Sequence, residues 1–494
     1  MPAKPRNLLR LLEQQASAFP GRVALIDDDR QWSFAELDGA VARYAGALTD
    51  AAGLRTRDRL GVCLKDTADH LIARLAAARA GITVVPMDWR VPLRERATVA
   101  QDFRLAAVLT APDALIDDVR CIPVDAAWQS RVAAAHELPF ADDPDLPLVL
   151  NLSSGTTGTP KAAVVTHRNY AARIRNNVMA FGSVEGLRYL SASPLYFSAG
   201  SHYCLTTLLQ GCTVILYPPL FSAEEYVDAV LKYQATMAFL VPTVLRWLLA
   251  LPNTGQQLLP TLQILLATAA PLTAHERRLI VQRLTPNLYE IYGSAAGGGL
   301  TSLRPDDLAR HADTVGRADG NVELQVVDDS GRLSPSGVVG RVRVRGPGVA
   351  TAWFHSESDS GSDNDAAYSE CFQDGWNYTG DLAVLDADRY LTLLGRTDDV
   401  ILRGGANIYP DVVEAALRRY PGVADAAVVG RPVNNGDPEV LAFAIADASV
   451  SEQLLFTHCR NVLPAWMLPA EIRFVDELPR TTSGKVRRRD LLSS

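Results

Sequence analysis

The stretch Leu152-Ser153-Ser154-Gly155-Thr156-Thr157-Gly158-Thr159-Pro160-Lys161 gathers the residue types that bind a phosphate. Small residues let backbone amides approach phosphate oxygens, hydroxyls add donors, and a lysine neutralises charge. The spacing is not the GxxxxGK[ST] of a Walker A loop. A second cation, Lys485, ends the small-residue run Thr481-Thr482-Ser483-Gly484. Asp381, after Gly380, offers a carboxylate able to accept from a pair of hydroxyls, and Arg396 offers further donors. Composition alone also allows a solvated Ser/Thr/Gly turn, a solvated tail lysine and a turn-forming aspartate.

Those residues need a scaffold, and the hydrophobic pattern predicts one. Leu8 to Ala16 and Phe34 to Leu48 carry apolar residues at helical spacing, while Val23 to Ile26 and Leu60 to Leu64 read as buried strands. A strand at Leu148 to Asn151 precedes the phosphate-type loop, and a helix is expected from His167 to Ala180. The rhythm returns at Thr213–Leu216, Ala223–Tyr233 and Met237–Val241, which predicts α/β layers with largely parallel sheets. Between Val322 and Val349, apolar and charged residues alternate around Gly331, Gly337, Gly340 and Gly346, the pattern of antiparallel strands. His355 to Asp365 is a loop by composition. The expected fold is α/β. Residues 1–397 form a large body of layered sheets with a small β-rich subdomain, and residues 398–494 form a small α+β C-terminal domain.

Of 494 residues, 48% are hydrophobic and 21% charged, enough to bury large cores. The 48 basic and 56 acidic residues give a net charge of −8, which argues against a nucleic-acid or anionic-membrane binder. Residues 399–494 hold 11 basic and 12 acidic residues, and the last 22 hold six basic and three acidic, so the negative charge belongs mostly to the body. Cys63, Cys121, Cys204, Cys212, Cys371 and Cys459 form no CxxC pair, so neither a disulfide framework nor a structural zinc is expected, and a reduced, cytoplasmic setting is favoured. The longest apolar stretch, Thr236 to Leu251, is interrupted by Pro242 and Arg246, so no membrane span is expected. The N-terminus lacks a signal-peptide pattern.

The loop resembles the signature of the adenylate-forming superfamily, which includes acyl- and aryl-CoA synthetases, firefly luciferase and peptide-synthetase adenylation domains. Seven further elements follow in the family's order: Ala80-Gly81 to Pro86, Ala269-Ala270-Pro271-Leu272, Tyr292-Gly293-Ser294, Gly375 to Asp381, Gly395-Arg396-Thr397-Asp398, Gly404 to Pro410, and Leu478 to Lys485. The resemblance implies two half-reactions. A carboxylate attacks the α-phosphorus of ATP, releasing pyrophosphate; a thiol, usually that of coenzyme A, then displaces AMP. It also implies that Ser153, Ser154, Gly155, Thr156, Thr157, Gly158, Thr159 and Lys161 meet phosphates, and that Asp381 and Arg396 meet the ribose. Tyr292 would stack on adenine beside Ala269, Ala270, Gly293 and Ser294. Lys485 would bridge carboxylate and α-phosphate, and Asp398 would be the hinge of a mobile cap.

Four positions, in three elements, depart from the family pattern. Ala295 and Ala296 stand where a phosphate-binding Thr and a Mg²⁺-holding Glu are usual, so the expected Mg²⁺ is held by ATP phosphates and water, with no protein ligand assigned. Phe197 replaces a common His, and Ala406 a common Glu. Ser198 stands where amino-acid-activating domains carry an Asp, which disfavours an ammonium-bearing substrate. Phe197, Ser198, Val241, Ala267 and Gly298 are expected to line a small apolar pocket for an aromatic or a short-to-medium aliphatic acid. The leading expectation is an AMP-forming carboxylate–CoA ligase using ATP, Mg²⁺ and coenzyme A. The alternatives are a stand-alone enzyme that loads a carrier-protein pantetheine, and a low-turnover nucleotide- or adenylate-binding homologue.

Overall fold

A computed structural model of the chain describes residues 6–153, 161–182, 186–219, 221–354, 371–403, 406–433, 436–480 and 486–492. Two large sheets make up most of the body. The first has nine strands; its six central members, from Val23–Asp27 to Leu288–Ser294, run parallel, with antiparallel strands added at both edges. The second has seven strands, with Arg59–Cys63, Thr83–Pro86, Ala107–Thr110, Cys121–Pro123 and Pro147–Ser153 parallel. The strands Thr83–Pro86, Ala107–Thr110, Thr213–Leu216, Met237–Leu240 and Ile264–Ala267 are buried at every position, which is why their sequences are short apolar runs without alternation.

One core lies between these sheets. Phe239 and Leu266 from the first meet Leu60, Val62, Val84 and Val149 from the second, with helices Phe34–Asp50, Ala68–Arg79 and Ser198–Leu209 between them. Adjacent strand residues point the other way, so Ala238, Leu265 and Ala267 join a second core under helices Ala223–Lys232, Pro242–Ala250 and Ala274–Arg283. Each fully buried Leu or Phe contributes about 1.5–3 kcal/mol. Capping boxes at Ser33/Glu36, Thr166/Asn169, Ser222/Glu225 and Thr273/Glu276 fix where four helices begin.

The predicted strand–loop–helix order gains one element. Lys161–Thr166 is a strand antiparallel to Pro147–Ser153, with Ser153 opposite Lys161, before the helix His167–Phe181 begins where expected. The antiparallel segment is as predicted: Glu323–Val327, Gly340–Arg345 and Trp376–Leu385 pair in succession, and Leu391–Arg396 adds to the last of them. Beyond Arg396 the chain forms a small unit, in which Val423–Val433, Gly436–Ala446 and Glu471–Phe474 make a sheet covered by helices Pro410–Arg418 and Glu452–Val462.

One ion pair anchors the strand that leads into the site. Arg277 donates Nε and Nη2 to the two oxygens of Glu290 at 2.6 and 2.8 Å, and their side chains are only 5% and 4% exposed. Arg277→Met should destabilise the protein by about 3–5 kcal/mol because it strands a buried carboxylate. Chemical unfolding of Arg277→Met beside the double variant Arg277→Met/Glu290→Leu checks this, with the double variant recovering most of the loss.

Candidate active site

The carboxyl ends of neighbouring parallel strands lie side by side, which is where open α/β sheets bind ligands. Arg188–Ser191 leads to Phe197 and Ser198, Met237–Leu240 to Val241, Ile264–Ala267 to Ala269 and Ala270, and Leu288–Ser294 carries Tyr292, Gly293 and Ser294. Ala269 sits at φ +82°, a left-handed conformation unusual for a residue with a Cβ, and such strain concentrates at functional turns. The Thr268 hydroxyl donates to the Ile291 carbonyl at 2.5 Å and ties this turn to the next strand.

The second sheet meets this edge at the turn after Ser294. Asn151, on the stem of the phosphate-type loop, donates its side-chain amide to the Ala295 carbonyl at 3.2 Å. Arg173 donates Nη2 to the Ala296 carbonyl at 2.6 Å and Nε to the Gly348 carbonyl at 2.8 Å, and Asn169 donates to the carbonyls of Pro347 and Val349. Gly298 is at φ +70°, and a Cβ there would meet Arg173 Nε at 2.8 Å. Burial pushes the Arg173 guanidinium down to about 10, and burial followed by the nearby Arg173 pushes His202 down to about 3, so His202 is a neutral packing residue at pH 7.

A compact polar group stands beyond Tyr292. Its hydroxyl donates to Asp381 Oδ2 at 2.6 Å and lies 3.0 Å from the Thr379 hydroxyl, while Arg396 Nη1 donates to Asp381 Oδ1 at 3.2 Å and to the Thr379 carbonyl at 2.7 Å. Burial, and then Asp381 beside it, push the Tyr292 phenol well above its usual range, so it is a proton donor to the carboxylate. Gly380, at φ +78°, takes a left-handed conformation that a residue with a Cβ rarely adopts, and a Cβ there would also push on Arg396 Nη2, 2.6 Å away. The Tyr292 ring packs with Leu300, Val322 and Val344 and is 8% exposed. The pairing of carboxylate, hydroxyls and guanidinium suits a ribose.

Several expected residues are brought together and others are not. Phe197 and Val241 pack against the same core cluster as Ala296, but Ala267 is fully buried in the cluster on the opposite face of the sheet. Its side chain therefore does not line the expected pocket, because the alternation of the strand turns it away. Ser154, Gly155, Thr156, Thr157, Gly158, Thr159 and Lys485 lie outside the described residues, and Ser153 and Lys161 are described through their backbones. Asp398 is an exposed residue of the short helical turn Thr397–Asp399.

Sequence reasoning missed Arg173, Asn151, Asn169 and Thr379. It also missed Arg74, Asp66 and Arg90. Arg74 donates to the Leu195 carbonyl at 3.0 Å, Asp66 accepts from the Leu195 amide, and Arg90 donates to the Tyr196 hydroxyl at 2.6 Å; together they hold the loop before Phe197. The legible signal was Arg74 in the middle of the apolar run Leu71-Ile72-Ala73 to Leu75-Ala76-Ala77-Ala78.

Residues 12–354 match the family of AMP-binding enzymes, and residues 412–485 match the AMP-binding enzyme C-terminal domain. The chain belongs to the AMP-binding enzyme family. It is 30% identical to an indoleacetate–CoA ligase from Aromatoleum aromaticum, over 98% of this chain and 97% of that protein. It is 28% identical to a fatty acid–[acyl-carrier-protein] ligase, ScoC, from Streptomyces coeruleorubidus, over 98% and 96%. Its fold matches o-succinylbenzoate CoA synthetase from Bacillus subtilis bound to the acyl-adenylate intermediate, at a TM-score of 0.87, 27% identity and 97% coverage of both chains. The same enzyme bound to ATP and magnesium ion matches at a TM-score of 0.86 and 27% identity, covering 98% of this chain and 99% of that one.

Within this AMP-binding enzyme, the turn at Ala295 and Ala296 supplies no side-chain ligand for Mg²⁺, and no group of three or more His, Cys, Asp or Glu among the described residues is placed to hold a metal. The Ala296 methyl is 2% exposed and its carbonyl already accepts from Arg173 and from the Ala350 amide. A glutamate there would start from an enclosed position within the hydrophobic core cluster. Ala296→Glu should therefore lower both melting temperature and pyrophosphate release, with an overpacking cost of about 1–3 kcal/mol. Thermal unfolding with a pyrophosphate-release assay checks this, and a gain in activity would contradict it.

Proposed function

We propose that this chain activates a small aryl or arylalkyl carboxylic acid with ATP, forming the acyl-adenylate and pyrophosphate, and transfers the acyl group to the thiol of coenzyme A, releasing AMP. The observation that carries this reading is the junction of Asn151, Ala295, Tyr292, Asp381 and Arg396. It joins a phosphate-type loop stem to a ribose-type carboxylate across the edges of two sheets. Mg²⁺ enters as the magnesium complex of ATP, a substrate, and not on a protein carboxylate.

The central difficulty is that a carboxylate must reach an already anionic phosphate. Residues 153–161 would cradle the phosphates through amides, hydroxyls and Lys161, and Lys485 would sit between the two reacting anions. Asp381 would accept from the ribose hydroxyls while Tyr292 and Arg396 hold it in place, and Ala269, Ala270, Gly293 and Ser294 would leave room for adenine against the Tyr292 ring. The carboxylate oxygen attacks the α-phosphorus, the α–β bridging bond breaks and pyrophosphate leaves. The thiol sulfur then attacks the acyl carbon and AMP leaves with the electron pair of the broken C–O bond. We place the domain boundary between residues 397 and 398, with Asp398 as the pivot that swings the C-terminal unit between these steps.

Phe197, Ser198, Val241 and Gly298 form the acid-binding side in this reading. The apolar character of Phe197 and Val241 and the absence of a carboxylate at Ser198 support an uncharged ring over an amino acid. Transfer to a carrier-protein pantetheine is the second reading, supported by the whole-length similarity to ScoC; the reacting thiol arm is the same chemical group. None of the six cysteines, all of them described, forms a disulfide, which supports the cytoplasmic setting, and no described helix is long and apolar enough to cross a membrane.

Two measurements test this function. Pyrophosphate release across a panel of arylacetic, benzoic and C4–C10 aliphatic acids should select an aromatic acid, and thioester should form with coenzyme A. No release with any acid sinks the reading, and acylation of holo carrier protein without acyl-CoA formation favours the second. Asp381→Ala should raise the KM for ATP about 10–100-fold through loss of charge-assisted hydrogen bonds to ribose. Unchanged nucleotide binding by calorimetry would remove Asp381 from that role.

A further inference from the structure

Residues 481–485, which end in Lys485, are flanked by residues that are paired and charged. Arg480 and Val486 form an antiparallel bridge, and the Arg487 amide donates to the Pro479 carbonyl at 2.8 Å. From there, one continuous ionic network runs through the C-terminal unit. Arg480 pairs with Asp425. Asp425 also lies 3.4 Å from Arg418, and Arg418 lies 3.6 Å from Glu414. Glu414 accepts from Arg488 Nη2 at 2.8 Å. Arg488 also donates Nη2 to Asp411 at 2.7 Å, Nη1 to Asp399 at 3.0 Å and Nε to the Val428 carbonyl at 3.2 Å.

Three guanidinium groups and four carboxylates therefore connect the two sides of the Lys485 segment to each other. The network also reaches Asp399, the residue directly after Asp398. The side chain of Glu414 is 7% exposed and those of Arg488 and Asp399 are 22% and 21%, so these contacts are partly shielded from solvent screening. A planar guanidinium can bridge carboxylates from a helix and a turn and a carbonyl within a strand at once, in a fixed fork that a lysine's single ammonium lacks.

We propose that Arg488 is a positioning residue: by clamping Asp399, Asp411 and Glu414, and through them joining the Arg418–Asp425–Arg480 pairs, it ties the residues on either side of 481–485 to the chain just beyond Asp398, and so fixes where the stretch bearing Lys485 leaves and rejoins the C-terminal unit. This rests on the reading of Lys485 as the residue that acts in acid activation. It gives Arg488 a role in the first half-reaction only, since the thiol step does not need Lys485 at the phosphate.

The test compares full-length Arg488→Gln, Asp399→Asn and Lys485→Ala in two assays. One is ATP–pyrophosphate exchange with the acid that gives the most release in the panel; the other is thioester formation from the chemically prepared acyl-adenylate and coenzyme A. Arg488→Gln should slow exchange about 10²-fold and Asp399→Asn about tenfold at an unchanged KM for ATP, while thioester formation stays within about twofold. Asp399→Asn keeps the Arg488 contacts to Asp411 and Glu414 and so guards against an unfolded Arg488 variant. Parallel loss of both half-reactions in both variants, or wild-type exchange in both, overturns the proposal. If Lys485→Ala keeps full exchange, the reading of Lys485 fails and the clamp fails with it. If Lys485→Ala loses exchange while both other variants keep it, the clamp alone is wrong.

Discussion

Backbone carbonyls drawn out of water need donors, and at the junction of the two large sheets five carbonyls, buried or partly buried in their hydrogen bonds, are met by only three side chains. Asn151 serves Ala295, Arg173 serves Ala296 and Gly348, and Asn169 serves Pro347 and Val349. These donors all come from the phosphate-loop stem and the helix His167–Phe181, and the acceptors from the turn after Ser294 and from the segment after Gly340–Arg345. The junction thereby sets the separation between the stem strand Pro147–Ser153 and the strand carrying Tyr292. The ribose-type group of Tyr292, Thr379, Asp381 and Arg396 is then placed by the antiparallel sheet that packs behind Tyr292.

The same junction explains the two alanines. In a site built from side-chain ligands, losing a Thr and a Glu leaves a gap in charge. Here the Ala296 methyl is enclosed by the core and its carbonyl is fixed from beneath by a buried arginine. The turn is held as backbone, and its two methyl side chains offer no ligand to a cation. The charge distribution is compatible with the proposed chemistry: the −8 net charge belongs mostly to the body, while the last 22 residues hold six basic and three acidic side chains.

Much of this was legible in the sequence because it is local. The Gly380–Asp381 turn, the helix from His167 and the buried runs Thr213–Leu216 and Met237–Leu240 each carry their reason in a few adjacent residues. What was not legible depends on partners distant in the chain. Arg173 and Asn169 read as the polar face of an amphipathic helix, but their acceptors lie 123 to 180 residues away. Arg488 reads as one more charge in a basic tail, yet its carboxylates precede it by 74 to 89 residues. Ala267 was misplaced for a different reason: the period of two along a fully buried strand gives no sign of which core a small residue faces. The strand Lys161–Thr166 was hidden because its Ala and Val residues continue directly into a well-capped helix.

The central claim is that a carboxylate oxygen of the acid becomes bonded to the α-phosphorus of ATP at this junction. Turnover of an acid labelled with ¹⁸O in both carboxylate oxygens, followed by mass spectrometry of the products, tests this most directly. The account predicts one ¹⁸O in each AMP released and none in pyrophosphate. Label in inorganic phosphate with ADP as co-product, or unlabelled AMP, would contradict it.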